Sequence, residues 1–368
     1  MPGQKRFALL AWGVTVVLSC SEAAPTVSAE APAGSAPAAD ASGIDASGAT
    51  DTGTSGRTDG GSPDRAAGDA RPSPDADATP RPDGGSAECP AFPAFPDENC
   101  TGYAHTGTTL TDYTGPMKIS TPGTVIEGKV LKGRLCIVAN DVTIRRSKVE
   151  GVIEMGSGGA FGPCPSSAKP TNILIEDVEV MGPGTPTTHD VDISTTFPVN
   201  GSNYTCRRCN LHRWGNGFRV ERNVTIEDSY VHDTIGFEGC SPRIGSDCLA
   251  HRSCIGGNGA IDSVYRHNRI DCTNLNGEGG VSGAIVIYSQ RQFTEARNVR
   301  VEKNILSTTD ASYCLYAGAG DIPPTNLQII DNRFARVPLT RCGLYGPIVS
   351  EPGVILSGNA FTDGTPIQ

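Results

Sequence analysis

Residues 224–231 read ValThrIleGluAspSerTyrVal: alternating apolar residues of a strand, a polar corner, and a second apolar peg five places after the first. The phrase recurs as ThrValIleGluGlyLysValLeu from Thr124, ValThrIleArgArgSerLysVal from Val142, IleLeuIleGluAspValGluVal from Ile173 and TyrThrCysArgArgCysAsnLeu from Tyr204. Looser copies start at Ser263, Val299, Leu327 and Val354. The paired pegs are Ile126/Leu131, Ile144/Val149, Ile175/Val180, Cys206/Leu211, Ile226/Val231, Tyr265/Ile270, Val301/Leu306, Ile329/Phe334 and Leu356/Phe361. Copies lie 18 to 39 residues apart, too uneven for a motif-exact array but regular enough for the coils of one solenoid.

A two-residue apolar beat is that of a half-buried strand, and no stretch after Cys89 keeps apolar residues at helical spacing. The fold expected is all-β. At the corner, the last four copies carry Asn268, Asn304, Asn332 and Asn359, which suggests amides hydrogen-bonding from coil to coil. Insertions of varying length fall between copies, as expected for loops bulging from a common tube. Strict 18-residue coils would mean a left-handed hexapeptide helix. Uneven coils favour a right-handed parallel β-helix, the favoured hand of parallel crossovers. About nine coils at a strand spacing of ~4.8 Å give a rod roughly 40 Å long. A leucine-rich repeat also carries an Asn ladder, but its dense Leu signature is missing.

From PheProAspGluAsnCysThrGly at Phe95 through LeuThrAspTyrThrGlyPro at Leu110 to the C-terminus, the chain resembles bacterial secreted proteins of the pectate-lyase-like superfamily. TrpGlyAsnGlyPheArgVal at Trp214, AsnValThrIleGluAspSerTyrValHisAsp at Asn223 and ArgHisAsnArgIleAsp at Arg266 carry most of the likeness. The resemblance implies a right-handed β-helix and says little of chemistry, because this fold hosts lyases, hydrolases, epimerases, adhesins and inert scaffolds.

Lys5 and Arg6 precede an apolar run from Phe7 to Leu18, too short to span a bilayer and suited to a signal-peptide core over residues 1–19. The run ends ValLeuSerCys, which resembles a bacterial lipobox and makes Cys20 the lipidated residue; an ordinary secretory signal is the alternative. From residue 21 to 88 the chain is almost entirely Ala, Gly, Ser, Pro, Thr and Asp, with no aromatic residue, and cannot bury a core. It is expected to be a disordered tether with an end-to-end distance of roughly 45 Å. That linker holds most of the acidic excess: of the net charge of −10, it carries −8. A β-helix domain over 89–368 with nearly balanced charge gives no argument for nucleic acid. The expected location is the bacterial outer membrane or cell surface, with membrane contact through a lipid anchor only, and the expected state is a monomer.

Removing Cys20 from thirteen Cys leaves twelve, all at or after Cys89, read most simply as six disulfides of an exported domain. Spacing makes Cys89/Cys100, Cys136/Cys164, Cys240/Cys248 and Cys314/Cys342 plausible pairs. Cys206 and Cys209 form the one CysXxxXxxCys; with no second such pair, a zinc site is set aside.

Candidate site residues are the outward neighbours of inward pegs on the strands before the corners. Taking Val191, Ile193, Phe218, Val220, Ile255, Ile285, Ile287 and Leu315 as inward leaves Asp190, Asp192, Arg219, Glu221, His251, Tyr288 and Tyr316 outward, with Gln290 and Arg291 just beyond. Asp190 and Asp192 would face one way about 7 Å apart, able to hold Ca²⁺ or to share acid and base roles across a glycosidic bond. A solvated acidic face is the bland alternative. Arg219 could fork onto a uronate carboxylate or pair with Glu221. His251 completes the candidate catalytic set of Asp190, Asp192, Arg219 and His251. It opens HisArgSerCysIle, where the resembling family pattern has an acid at the position of Ser253, and that departure lowers the case for catalysis. Tyr288 and Tyr316, with Arg291 and Glu221, are the candidate substrate-binding residues, since a tyrosine ring offers a face to a pyranose. His212 and His232 recur at one place after the second peg, which points to a structural role, and Trp214 sits in a Gly-rich turn suited to loop packing. Signatures of polygalacturonases, pectate lyases, GlyXxxSerXxxGly hydrolases, HisGluXxxXxxHis metalloproteases and P-loops are absent.

These residues support engagement of polysaccharide, by a lyase or hydrolase or by a non-catalytic binding or adhesion module. A structural scaffold needs only the fold.

Overall fold

The computed structural model describes residues 88–156, 164, 168–184, 196–236 and 252–367. The signal segment, Cys20 and all of the linker but its last residue lie outside them. The described chain is an all-β parallel β-helix. First pegs stack in register from Ile126 through Ile144, Ile175, Cys206, Ile226, Tyr265, Val301 and Ile329 to Leu356. Second pegs stack likewise from Leu131 to Phe361. A third inward row, Leu135, Ile153, Val199, Phe218, Ile255, Ile285, Leu315 and Ile348, closes the tube. Each coil therefore presents three faces. Thr143–Met155 shows this within one strand, which bends from the first face through the second to the third.

Pegs of the first eight coils are at most 3% exposed, each worth roughly 1.5–3 kcal/mol of burial for an aliphatic side chain. Leu356, by contrast, is 39% exposed and Phe361 half-buried, because among the described residues no further coil pairs with the ninth. A C-terminal turn partly covers it: Ile367 N donates to Asn359 O (3.0 Å) and its side chain packs on the core.

Two corners are left-handed in every coil. Two residues after the first peg stand Gly128, Arg146, Asp177, Arg208, Asp228, His267, Lys303, Asp331 and Gly358, all with φ between 49° and 65°. Three residues before it stand Gly123, Asp141, Asn172, Asn203, Asn223, Asp262, Asn298, Asn326 and Gly353, with φ between 50° and 89°. Asn, Asp and Gly adopt this region at least cost, which explains the composition of the second set.

Behind the first corner runs the Asn ladder. Asn268, Asn304 and Asn332 each donate Nδ2 to the next Oδ1, at 2.9, 2.9 and 3.1 Å, and the same oxygens accept main-chain N–H groups. Ser229 and Ser147 fill the position in earlier coils, each accepting one main-chain N–H. A second ladder runs along the exposed corner through Asn172 to Asp141, Asn223 to Asn203, and Asn326 to Asn298 to Asp262.

Disulfides join Cys89 to Cys100, Cys136 to Cys164 and Cys314 to Cys342, as spacing suggested. Cys240 and Cys248 lie outside the described residues. Cys206 and Cys209 are bonded to each other inside the tube, and Cys254 pairs with Cys272, which the sequence reading had not paired. Bridges of this number belong to an oxidising compartment. Among the described residues, no helix is long and apolar enough to cross a membrane.

Candidate functional site

The three outer faces differ in how far their side chains are already engaged. On the first, Glu127, Arg145, Glu176, Arg207, Glu227, Arg266 and Glu302 stack in register with alternating sign. Arg145 reaches Glu127 (2.7 Å), Arg207 bridges Glu176 (3.3 Å) and Glu227 (2.7 Å), and Arg266 also pairs with Glu227. This face neutralises itself.

The second face carries His212 and His232, their rings stacked 5.1 Å apart, with Tyr230 stacked on His232 at 4.2 Å. His212 Nε2 contacts Glu179 (3.1 Å), and His232 contacts Asp233 (2.9 Å) and Asn210 (2.8 Å). Burial works to raise the Glu179 carboxyl, but hydrogen bonds from His212 and the Lys148 charge outweigh it and hold it below the usual range. Each imidazole is thus tied to a structural partner, as their recurrence in the repeat suggested. Trp214 packs with Val152 and Ile235 as a turn residue.

The N-terminal segment straps this side. Gly102 N donates to Arg208 O (2.8 Å), and a Cβ at Gly102 would lie 3.1 Å from that of Asn210 at a φ of 73°. His105 contacts Asp177 (3.0 Å), and the Phe95 ring stacks on His267 at 6.0 Å. Burial acts to raise the Asp177 carboxyl, yet hydrogen bonds from His105 and Arg208 prevail and lower it.

The third face is left with unspent chemistry. Its outward row runs in register through Cys136, Glu154, Asn200, Arg219, Gly256, Val286, Tyr316 and Val349. Arg219 and Tyr288, both expected here, share a pocket of about 210 Å³ with Phe197, Ser253, Gly256 and Val286. Gly256 makes the space: a Cβ there would collide with Ser253 Oγ and sit 3.2 Å from the Phe197 ring. Glu221 lies 4.0 Å from Arg219 Nε and accepts from Ser202 Oγ (3.1 Å), so the Arg219 pairing is loose. Tyr204 fixes the strand from inside, donating its hydroxyl to Arg219 O (3.1 Å).

A register shift between Ile287 and Tyr288 marks where the Tyr288 ring meets Tyr316, centroids 6.2 Å apart. Tyr313 continues the series, edge-on to Tyr316 at 5.8 Å, and Tyr345 follows at 6.0 Å, 59% exposed. Burial raises the Tyr288 and Tyr316 hydroxyl pKa values, so both stay neutral donors. Tyr313 and Tyr345 escaped the sequence reading, Tyr345 because it lies in a loop with no place in the repeat.

Phe218, Val220, Ile255, Ile285, Ile287 and Leu315 are buried as expected. Asp190, Val191, Asp192, Ile193 and His251 lie outside the described residues. The slot beside Phe218 on the neighbouring strand belongs to Val199, so the register neighbours of Arg219 are Asn200 and Gly256. Arg291 lies in a turn, its main-chain N donating to Asp321 (2.7 Å). No family model, curated protein or solved structure matches the chain. Among the described residues, no group of three or more His, Cys, Asp or Glu could hold a metal ion.

One carboxylate on this face had no signal in the repeat. Glu154 points outward between inward Ile153 and Met155 yet is only 3% exposed, and it pairs with Arg134. Burial raises its pKa, against the lowering pull of Arg134.

Proposed function

We propose that the chain binds polysaccharide along its third face, and an acidic polysaccharide in particular. The observation carrying this is the run of Tyr288, Tyr316, Tyr313 and Tyr345 beside the Arg219 pocket. Tyrosine rings offer apolar faces to pyranoses and hydroxyls to their rims, and a guanidinium forks onto a carboxylate. Stacked strands repeat at ~4.8 Å, near the repeat of a sugar chain, so an extended glycan can meet successive coils in step. The other two faces are occupied by their own ion pairs or by the N-terminal strap, which favours the third.

The lipobox-like ValLeuSerCys and the residue 21–88 linker support display of this domain at a bacterial cell surface through lipid on Cys20. The phrases at Trp214, Asn223 and Arg266 support placement in the pectate-lyase-like superfamily. Affinity electrophoresis through gels holding polygalacturonate, alginate or a neutral β-glucan tests the reading. Retardation by the uronans, lost in Arg219→Ala, is expected; free migration in all three gels would refute it. Ultraviolet absorbance of unsaturated uronates and release of reducing ends, with and without Ca²⁺, report whether binding leads to cleavage.

A further inference from the structure

The second face carries an opening that the repeat itself does not require. Strand Arg269–Cys272 buries Ile270 and Cys272 and turns Arg269 and Asp271 outward, and the next coil turns out Ile305 and Ser307. These four outward residues line a pocket of about 260 Å³ together with Thr273 and with the turn that follows Phe334. Ser307 and Ala335 are small, which leaves room between the strand carrying Arg269 and the turn at Val337 and Pro338. Val337 is 77% exposed and edges the opening.

Both sides are held without a ligand. Ala335 N donates to Leu306 O (2.8 Å), Arg336 reaches Asp363 (2.7 Å) and Thr340 O (3.0 Å), and Cys342 is bonded to Cys314, so the turn is anchored at both ends. Opposite, the Arg269 guanidinium lies 4.8 Å from the Tyr230 ring, which is itself stacked on His232.

The polar groups are not spent on one another. Arg269 and Asp271 stand two residues apart on one strand face, yet among the described residues neither forms an ion pair. A ring contact engages the charge of Arg269 but leaves most of its five N–H donors open. Asp271 accepts from Ser307 Oγ (2.6 Å), which takes only part of its acceptor capacity. A positive and a negative group side by side favour neither a free anion nor a free cation. They suit a pair of hydroxyls, because one hydroxyl can donate to the carboxylate while its neighbour accepts from the guanidinium. Across the pocket, Val337, Pro338 and Ile305 are apolar. A pyranose is divided in the same way, with hydroxyls around its rim and C–H groups on its face. The volume of about 260 Å³ lies below the ~300–1,000 Å³ of sites for larger ligands, so it holds one ring and not a chain.

We infer that this pocket is a second carbohydrate site, taking a single neutral pyranose, a branch or terminal sugar, with Asp271 and Arg269 on adjacent hydroxyls and Val337 and Pro338 against its face. It lies on a different face from the Arg219 pocket and does not depend on the reading of that pocket.

The test is saturation-transfer difference NMR of the full chain with methyl pyranosides of glucose, galactose, mannose and xylose, and with proline as a zwitterionic probe of similar size. At least one pyranoside should receive saturation at millimolar concentration and yield an affinity on titration. Asp271→Asn, whose amide still accepts from Ser307, should weaken that affinity about tenfold, the loss of a hydrogen bond to a charged acceptor. Ala335→Leu, which keeps both charged groups and fills the pocket, should abolish it. Absence of saturation for all four pyranosides, whether or not proline receives it, would overturn the sugar site. So would an affinity unaltered in Asp271→Asn or in Ala335→Leu, since either would place the binding elsewhere.

Discussion

His267 Nε2 lies 2.9 Å from the carbonyl oxygen of Ala94, 173 residues earlier in the chain. Its other nitrogen, Nδ1, lies 2.6 Å from Asp228 Oδ1. Both partners only accept, so both contacts are satisfied together only by the doubly protonated ring. The hydrogen bond to Asp228 raises the His267 pKa, burial opposes it, the Ala94 carbonyl adds to the rise, and Lys303 works against it.

A histidine whose folded pKa is raised stabilises fully below its unfolded value, about 6.5, and loses that contribution as pH rises through the folded value. Attachment of the strap should therefore weaken as pH rises past the ordinary histidine range and through the raised pKa of His267. Hydrogen-exchange protection of residues 94–102, corrected for intrinsic rates, should decline with rising pH in the native chain. His267→Leu should show low protection with a flat profile. A wild-type profile that is flat as well would refute the clamp.

Asn304→Ala should be among the most damaging substitutions in the solenoid. Its side chain accepts from Asn268 N and Nδ2 and donates to Tyr265 O and Asn332 Oδ1, all at 2.9 Å and all buried. Alanine leaves several of these without partners, a loss of about 4 kcal/mol or more. Asn304→Ser should cost less, since Ser147 and Ser229 serve as acceptors at the same corner. Urea unfolding of both variants checks the order.

Arg252 is 1% exposed, and among the described residues no carboxylate forms an ion pair with it. Its guanidinium donates to the carbonyls of Gly215, Ile235 and Gly279, tying turns from different coils, and burial draws its pKa down to about 10, so it remains charged at neutral pH. Arg252→Met, similar in length but without donors, should destabilise by about 3 kcal/mol, because three buried carbonyls lose a charged partner. A calorimetric midpoint unchanged from wild type would contradict this role.

Tyr345→Ala should separate binding from stability. The ring is 59% exposed, so its removal should shift stability by less than about 0.5 kcal/mol. Uronan affinity should fall about three- to tenfold if the ring stacks on a sugar. Unaltered affinity would remove Tyr345 from the proposed surface.

The tube was legible in the chain because its inward residues recur with fixed spacing inside each coil: Ile226 and Val231 identify each other without knowledge of any loop. The Asn ladder was legible for the same reason. The Asp, Asn or Gly three places before each first peg, as in Asn172, Asp262 or Gly123, is an equally regular signal in the chain. The outer face was harder. Which side chain adjoins Arg219 depends on the loop lengths between coils, and no repeat signal marks Val199 as the residue beside Phe218. Glu154 looked like any outward acid of a strand. It is buried beside the bridge of Cys136 to Cys164, and a bridge across 28 residues marks a loop without saying what lies beneath it.

The alternating Glu and Arg of the first face bear on how such a chain can lengthen or shorten. Each coil between Glu127 and Glu302 contributes one sign, and each rests on neighbours of the opposite sign. Excising any single interior coil would bring two like charges into register, an arrangement that destabilises adjacent strands. Excising two consecutive coils would restore the alternation. The ladder works as a parity rule, so gain or loss of coils in this part of the solenoid is cheaper in twos than in ones.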